Sequence, residues 1–200
     1  MDGIGWGASA MGAAQQRLTI ATNNLANAQT DGFVRLVARG QLTRQGVRVH
    51  AVSWRGLAAL KPTRRPFDLA LVGPGSFFVR SPGGRTTRTR LGAFERSVTG
   101  TLVDTHGNAL LGRNGPLRVS QTAEIDAYGN VREQGRIVDH VAHSDTAHIQ
   151  SGWLESSSVD AITEMINVMS AQRSFETAEK VVAAIDATHQ KAAQNVATLS

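Results

Sequence analysis

Apolar residues recur on a heptad from the start of the chain. Ile4, Met11, Leu18 and Leu25 hold one position, and Gly7, Ala14, Ala21 and Ala28 hold the position three residues later. Large residues alternating with very small ones predict a helix of about 24 residues, roughly 36 Å long, with a narrow seam open to close packing. The pattern stops at Asn27–Gly32, where Asp31-Gly32 offers a backbone tolerant of positive φ. Glycines at 3, 5, 7 and 12 weaken this helix by about 0.5–1 kcal/mol each relative to alanine, so its ordering is expected to depend on a packing partner.

The other end repeats the logic more strongly. Val168, Phe175, Val182, His189 and Val196 are seven apart, and Ala171, Ala178, Ile185, Ala192 and Leu199 follow each by three. Ile162, Met165, Ile166 and Met169 extend the apolar face upstream, while Glu164, Arg173, Glu176, Glu179, Lys180 and Asp186 make the polar face that is expected to keep the helix soluble. Neither Pro nor Gly interrupts Val159–Ser200, which predicts about 40 helical residues, near 60 Å in length. Ser157 with Asp160 three residues on is the spacing of a capping box. One apolar stripe of this length needs a partner. An intramolecular helical hairpin satisfies it, and so does a two-helix coiled coil of the chain's own ends that keeps apolar surface for neighbouring subunits.

Between about Val34 and Ile149 the helical period gives way to short alternating runs. Phe67–Val72 and Ser76–Arg80 flank Gly73-Pro74-Gly75, which reads as a hairpin. Pro82-Gly83-Gly84 makes the next turn. Leu102-Val103 and Ala109–Leu111 flank Asp104–Asn108, and Glu124–Asp126 and Asn130–Arg132 bracket Ala127-Tyr128-Gly129. The expected fold class is α+β: N- and C-terminal helices paired as a coiled coil, with a central, mainly antiparallel β-domain. The boundaries read as an N-terminal helix and loop at 1–32, a β-domain with a basic surface at 33–150, and a long C-terminal helix at 151–200.

With 41% hydrophobic and 18% charged residues, the 200-residue chain can fold around a core. The 5% aromatic content argues against a stacking platform for single-stranded nucleic acid. No cysteine is present, which excludes disulfides, thiolate metal sites and cysteine nucleophiles. No run is apolar enough for a membrane span, and Met1–Gly12 lacks the basic start and apolar core of a cleaved signal.

The net charge of +5 is unevenly spread. Arg35–Arg118 holds 15 Lys/Arg against three carboxylates, while the two flanks hold six against 13. This +12/−7 split predicts that the basic middle and acidic flanks face different partners. Arg80, Arg85, Arg88, Arg90 and Arg96 lie close together, which leaves a polyanion-binding β-domain as a second reading. His140 and His143, with Asp139, Asp145 and His148 nearby, are the one cluster of metal-ligand types, but their spacing fits no standard motif, and solvated loop histidines explain them. The glycines at 3, 5 and 7 follow no strand, and no Walker sequence, nucleophile elbow or HExxH occurs. The sequence predicts neither catalytic nor metal residues, no cofactor, and no enzyme.

Three blocks then point to a family. Gln15–Leu18, Ala21–Ala28 (ATNNLANA) and Thr30–Phe33 (TDGF) resemble the N-terminal signature of bacterial flagellar rod and hook proteins, carried here by Asn23, Asn24, Leu25, Asn27, Gly32 and Phe33. PFDLALVGPGSFFV and LGAFERSVTGTLVDTHGNALLG are similar to that family's β-domain, and Gly152–Ala187 to its C-terminal helix. Within the family the strongest resemblance is to the proximal rod member, with distal rod or hook subunits as the alternative.

The resemblance implies a structural subunit of the basal-body rod, the drive shaft that transmits torque across the periplasm. Such a subunit is exported through the flagellar type III apparatus without a cleaved signal and assembles helically with copies of itself and other rod proteins. It implies no nucleic-acid partner. On this reading Ile4, Met11, Leu18, Leu25, Ile162, Met169, Phe175, Val182 and Ile185 are the expected subunit-packing residues. Arg80, Arg85, Arg88 and Arg90 form the expected outer face, toward the surrounding ring or peptidoglycan.

Overall fold

The computed structural model describes residues 3–54, 56, 58–144 and 147–197, with backbone alone at 193 and 195–197. Asp145, Leu199 and the side chain of Val196, named above, lie outside the described residues. The chain divides into two compact units that do not follow the boundaries at 32 and 150. One unit combines 1–28, 35–54 and 159–200; the other combines 29–34 and 55–158.

The first unit holds helix α1 (Gly3–Ala26), a hairpin of β1 (Leu36–Thr43) and β2 (Gly46–Ser53), and helix α2 (Ala161–Ala197). The helices run antiparallel along one another, Gly3 meeting Ile185 and Gly7 meeting Val182. The heptads explain the contact. Ala14, Ala21, Ala171 and Ala178 are buried, and Ile4, Met11, Leu18, Leu25, Val168, Phe175, Val182 and Ile185 are half-buried beside them. At Gly7 a methyl would collide with Val182 Cγ2, whereas nothing lies within 4 Å of one at Gly12. Glycine therefore sets the helix spacing at one position and only weakens the helix at the other. Gly12→Ala is expected to stabilise the chain by about 1 kcal/mol and Gly7→Ala to cost about 1–3 kcal/mol, as thermal melts followed by helical circular dichroism would show.

Asp160 caps helix α2. Asp160 Oδ1 accepts the Ile162 N–H at 3.0 Å and Oδ2 accepts the Thr163 hydroxyl at 2.8 Å. These two donors hold its carboxyl below the ordinary value.

The second unit is a β-domain, antiparallel throughout its described pairings. Its strands are β3 (Leu60–Pro62), β4 (Leu69–Val72), β5 (Phe77–Arg80), β6 (Thr86–Thr89), β7 (Phe94–Arg96), β8 (Leu102–Asp104), β9 (Ala109–Gly112) and β10 (Gly115–Pro116). After them come β11 (Glu124–Ile125), β12 (Asn130–Glu133), β13 (Arg136–His140), β14 (His148–Ser151) and β15 (Trp153–Glu155). The main sheet has the order β6-β5-β9-β8-β7, with β10 on β9; β11-β12-β13 form a second sheet, and β14-β4 and β15-β3 form two ribbons. Leu69, Phe77, Leu102, Leu110, Leu117, Val131 and Val141 are wholly buried in one core, where Phe77 meets Phe94 edge to face at 5.6 Å.

Two turns share one design. In Asp104-Thr-His-Gly-Asn108 and in Asp126-Ala-Tyr-Gly-Asn130, the aspartate accepts the N–H groups two and four residues on and the asparagine side chain. Burial pushes the Asp126 carboxyl up, but bonds from Asn130 and Tyr128 and the charge of Arg132 overcome it and hold the group low.

The proposed hairpin about Gly73-Pro74-Gly75 does not form. Strand β4 pairs with β14, and β5 with β6 and β9, so the segment carries the chain from one sheet to another. The turn at 82–84 does join β5 to β6.

Candidate assembly interface

The signature residues have separate structural tasks. Asn24 is fully buried, and its side-chain amide acts like a neighbouring strand: Nδ2 donates to the Leu36 carbonyl at 2.7 Å, and Oδ1 accepts the Leu36 N–H at 2.9 Å. It ties α1 to the first residue of β1, and only asparagine or glutamine carries both groups. Asn27 donates its side-chain amide to the Asn23 carbonyl at 2.9 Å, closing the last turn of α1, while Leu25 stays on the seam. Gly32 and Phe33 serve the other unit. Gly32 has φ +67°, its N–H donates to the Glu155 carbonyl at 2.7 Å, and a Cβ there would press on the Arg90–Leu91 peptide. The Phe33 carbonyl accepts from the Ser158 N–H and hydroxyl.

Glu164 does not lie on the exposed polar face read from the sequence: it falls seven residues before Ala171, on the seam, and is buried. Arg35 Nε donates to its Oε1 at 2.6 Å, and Asn167 donates to Oε2 at 3.2 Å. This is the charged group that the heptad alone would not place in a packed layer.

The expected packing set divides in two. Ile4, Met11, Leu18, Leu25, Phe175, Val182 and Ile185 are half-buried on the two helices, Val182 and Ile185 against Gly7 and Gly3 of α1. Ile162 and Met169 are 72% and 51% exposed. With Met165 and Ile166 they make an apolar surface on α2 outside the seam, and Trp6, Ala10, Ile166, Met169 and Val181 line a groove of about 800 Å³ beside it. Contiguous apolar surface of this kind marks an interaction face.

The expected basic face also divides. Arg80, Arg85 and Arg88 are exposed on the β5–β6 hairpin, Arg88 over the Phe78 ring at 5.4 Å. Arg90 does not join them. Its Nε donates to Glu155 Oε2 at 2.6 Å, NH1 to the carbonyls of Gly73 and Gly75, and NH2 to that of Leu71. Arg90 is the plug of the Gly73–Gly75 crossover, which leaves three inward carbonyls in need of donors. Burial pushes the Glu155 carboxyl up, and Arg90 opposes this shift.

The charge split dissolves in the same way. The helix-and-hairpin unit holds eight Lys/Arg and six Asp/Glu, and the β-unit 13 and 10, giving +2 and +3. Residues 35–54 take arginines to the helices, and 119–158 return carboxylates to the β-domain.

His140 and His143 stack at 5.6 Å, and Tyr128 meets His148 edge to face at 5.9 Å. Among the described residues no three His, Cys, Asp or Glu are grouped to hold a metal ion. No described helix is long and apolar enough to cross a membrane.

Paired helices from the two ends of a chain, an inserted antiparallel β-domain and apolar surface outside the helix contact define a class of protein built to pack against others. Residues 5–33 match the family described as flagella basal body rod protein, and residues 150–195 the one described as flagellar basal body rod FlgEFG protein C-terminal. The flagellar basal-body rod protein FlgF of Escherichia coli (strain K12) is 28% identical, covering 89% of this chain and 92% of its own length. FlgG of Agrobacterium fabrum is 24% identical over 93% and 96%. The flagellar hook protein FlgE of Brucella abortus is 34% identical over 53% of this chain and 30% of its own length. At both ends, and over most of its length, the chain resembles the flagellar basal-body rod and hook family, with likeness to rod members. That family is structural.

Proposed function

We propose that this protein is a proximal-rod subunit whose terminal helices form a coiled coil and pack, copy on copy and against other rod proteins, into the shaft. One observation carries the reading. Pairing of α1 with α2 uses one face of α2 and leaves Ile162, Met165, Ile166 and Met169 on its surface. A helix pair that needed only itself would have polar residues there. Contacts between unlike surfaces that do not close on themselves generate a helical filament, and long helices packed along its axis resist torsion.

On this reading the subunit is exported without a cleaved signal and resides in the periplasmic rod. Arg80, Arg85 and Arg88 face outward, toward the surrounding ring or peptidoglycan. The test is an epitope-tagged chain expressed in its own bacterium in place of the untagged one. The tag is expected in purified basal bodies, located by cryo-electron microscopy in the rod, and deletion of the chain is expected to abolish swimming. A tag found beyond the rod would assign the chain to the hook, and basal bodies without it would overturn the reading.

A further inference from the structure

We propose that the β1–β2 hairpin is a cationic docking surface for the acidic flank of α2 in a second copy of this chain. The inference rests on the rod-subunit reading and adds which surfaces meet. In the hairpin register Arg39 lies opposite His50 and Gln41 opposite Arg48, so these side chains share one face. Arg39, Arg48 and His50 are exposed on it, with exposed Arg44 at the turn, and the hairpin contains no carboxylate. Its other face rests on α1, where Val49 is buried and the Val47 N–H reaches the Ser9 hydroxyl at 3.4 Å.

Exposed Glu176, Glu179 and Asp186 recur at helical spacing on one flank of α2. Among the described residues these carboxylates and Arg39, Arg44 and Arg48 form no ion pair. They do not meet within one chain. The α2 residues that share a cleft with the hairpin's first strand are Glu164, Asn167, Ser170, Ala171 and Ser174, centred on a different side of that helix from Glu176, Glu179 and Asp186. The lengths agree: Arg39 to Arg44 spans about 16 Å of strand and Glu176 to Asp186 about 15 Å of helix. Three cations against three carboxylates at matched spacing favour a copy of this chain over an external polymer. The contact is heterologous, so it propagates instead of closing.

The chain has no cysteine, which makes disulfide trapping clean. Arg44→Cys is combined with Glu176→Cys, Glu179→Cys or Asp186→Cys in turn, and basal bodies are isolated under oxidation. At least one pair is expected to give a covalent ladder of copies that single variants lack. Basal bodies that contain the variants and swim but give no ladder overturn the docking and leave the rod assignment standing. Basal bodies that lack even the wild-type chain overturn both.

A second arm uses charge reversal. Arg39→Glu, Arg44→Glu and Arg48→Glu together are expected to abolish incorporation. Adding Glu176→Arg, Glu179→Arg and Asp186→Arg to the same chain is expected to restore it. No loss in the first variant overturns the proposal, and so does a loss that the second set leaves unrestored, as an anionic polymer partner would give.

Discussion

Replacing Arg90 by methionine is expected to cost the β-domain about 3–5 kcal/mol at neutral pH, the range for removing one partner of a buried ion pair. Methionine keeps much of the volume, so the loss is electrostatic. It strands Glu155, whose side chain is 8% exposed, and leaves the carbonyls of Leu71, Gly73 and Gly75 without their donor. The pH dependence has a definite sign. Burial already raises the Glu155 carboxyl, and Arg90 is what pulls it back. A carboxyl raised in the folded state contributes stability below its unfolded value, and that stability is lost as pH rises through the folded value. Removing Arg90 raises the folded value further. The gap between wild type and variant is therefore expected to be widest near pH 7 and to narrow toward the ordinary glutamate range. Denaturant titrations at several pH values measure this. A deficit that stayed constant with pH would show that Glu155 is not the group left stranded.

Changing both Leu18 and Leu25 to aspartate is expected to remove the chain from the rod and stop swimming. Both leucines are half-buried on the seam, and full burial of such a side chain is worth about 1.5–3 kcal/mol. The larger effect is the placing of two carboxylates on half-buried positions of an apolar repeat. Leu18→Met with Leu25→Met keeps the volume and should swim. Immunoblots of purified basal bodies distinguish failed incorporation from failed synthesis. Normal swimming by the aspartate variant would show that the seam is dispensable.

The helices were legible because a seven-residue repeat is a local property of the chain: Ile4–Leu25 and Val168–Ile185 name their own buried faces. The Asp104 and Asp126 turns were legible in place, since their partners lie within four residues. Arg90 was not. Nothing in TRTRL distinguishes Arg88, which is exposed, from Arg90, which is held by a glutamate 65 residues away. The turn misread at Gly73–Gly75 has the same origin, because the partner of β4 is β14, beyond nine intervening strands. The hairpin at Leu36–Ser53 was not picked out within the stretch read as β-structure, and only tertiary contact shows that it packs on α1. Buried Asn24 carried a readable signal: an asparagine inside an apolar repeat needs a partner for each end of its amide.

The helix-and-hairpin unit is assembled from three stretches of chain with the β-domain threaded between them. The hairpins of that domain join neighbours and close early, whereas Gly7 must wait for Val182, near the far end of the polypeptide. Timing follows from this arrangement. In any chain made from its N-terminus onward, a leading helix of this kind has no mate until nearly everything behind it has followed, so the segment that comes first is among the last to settle.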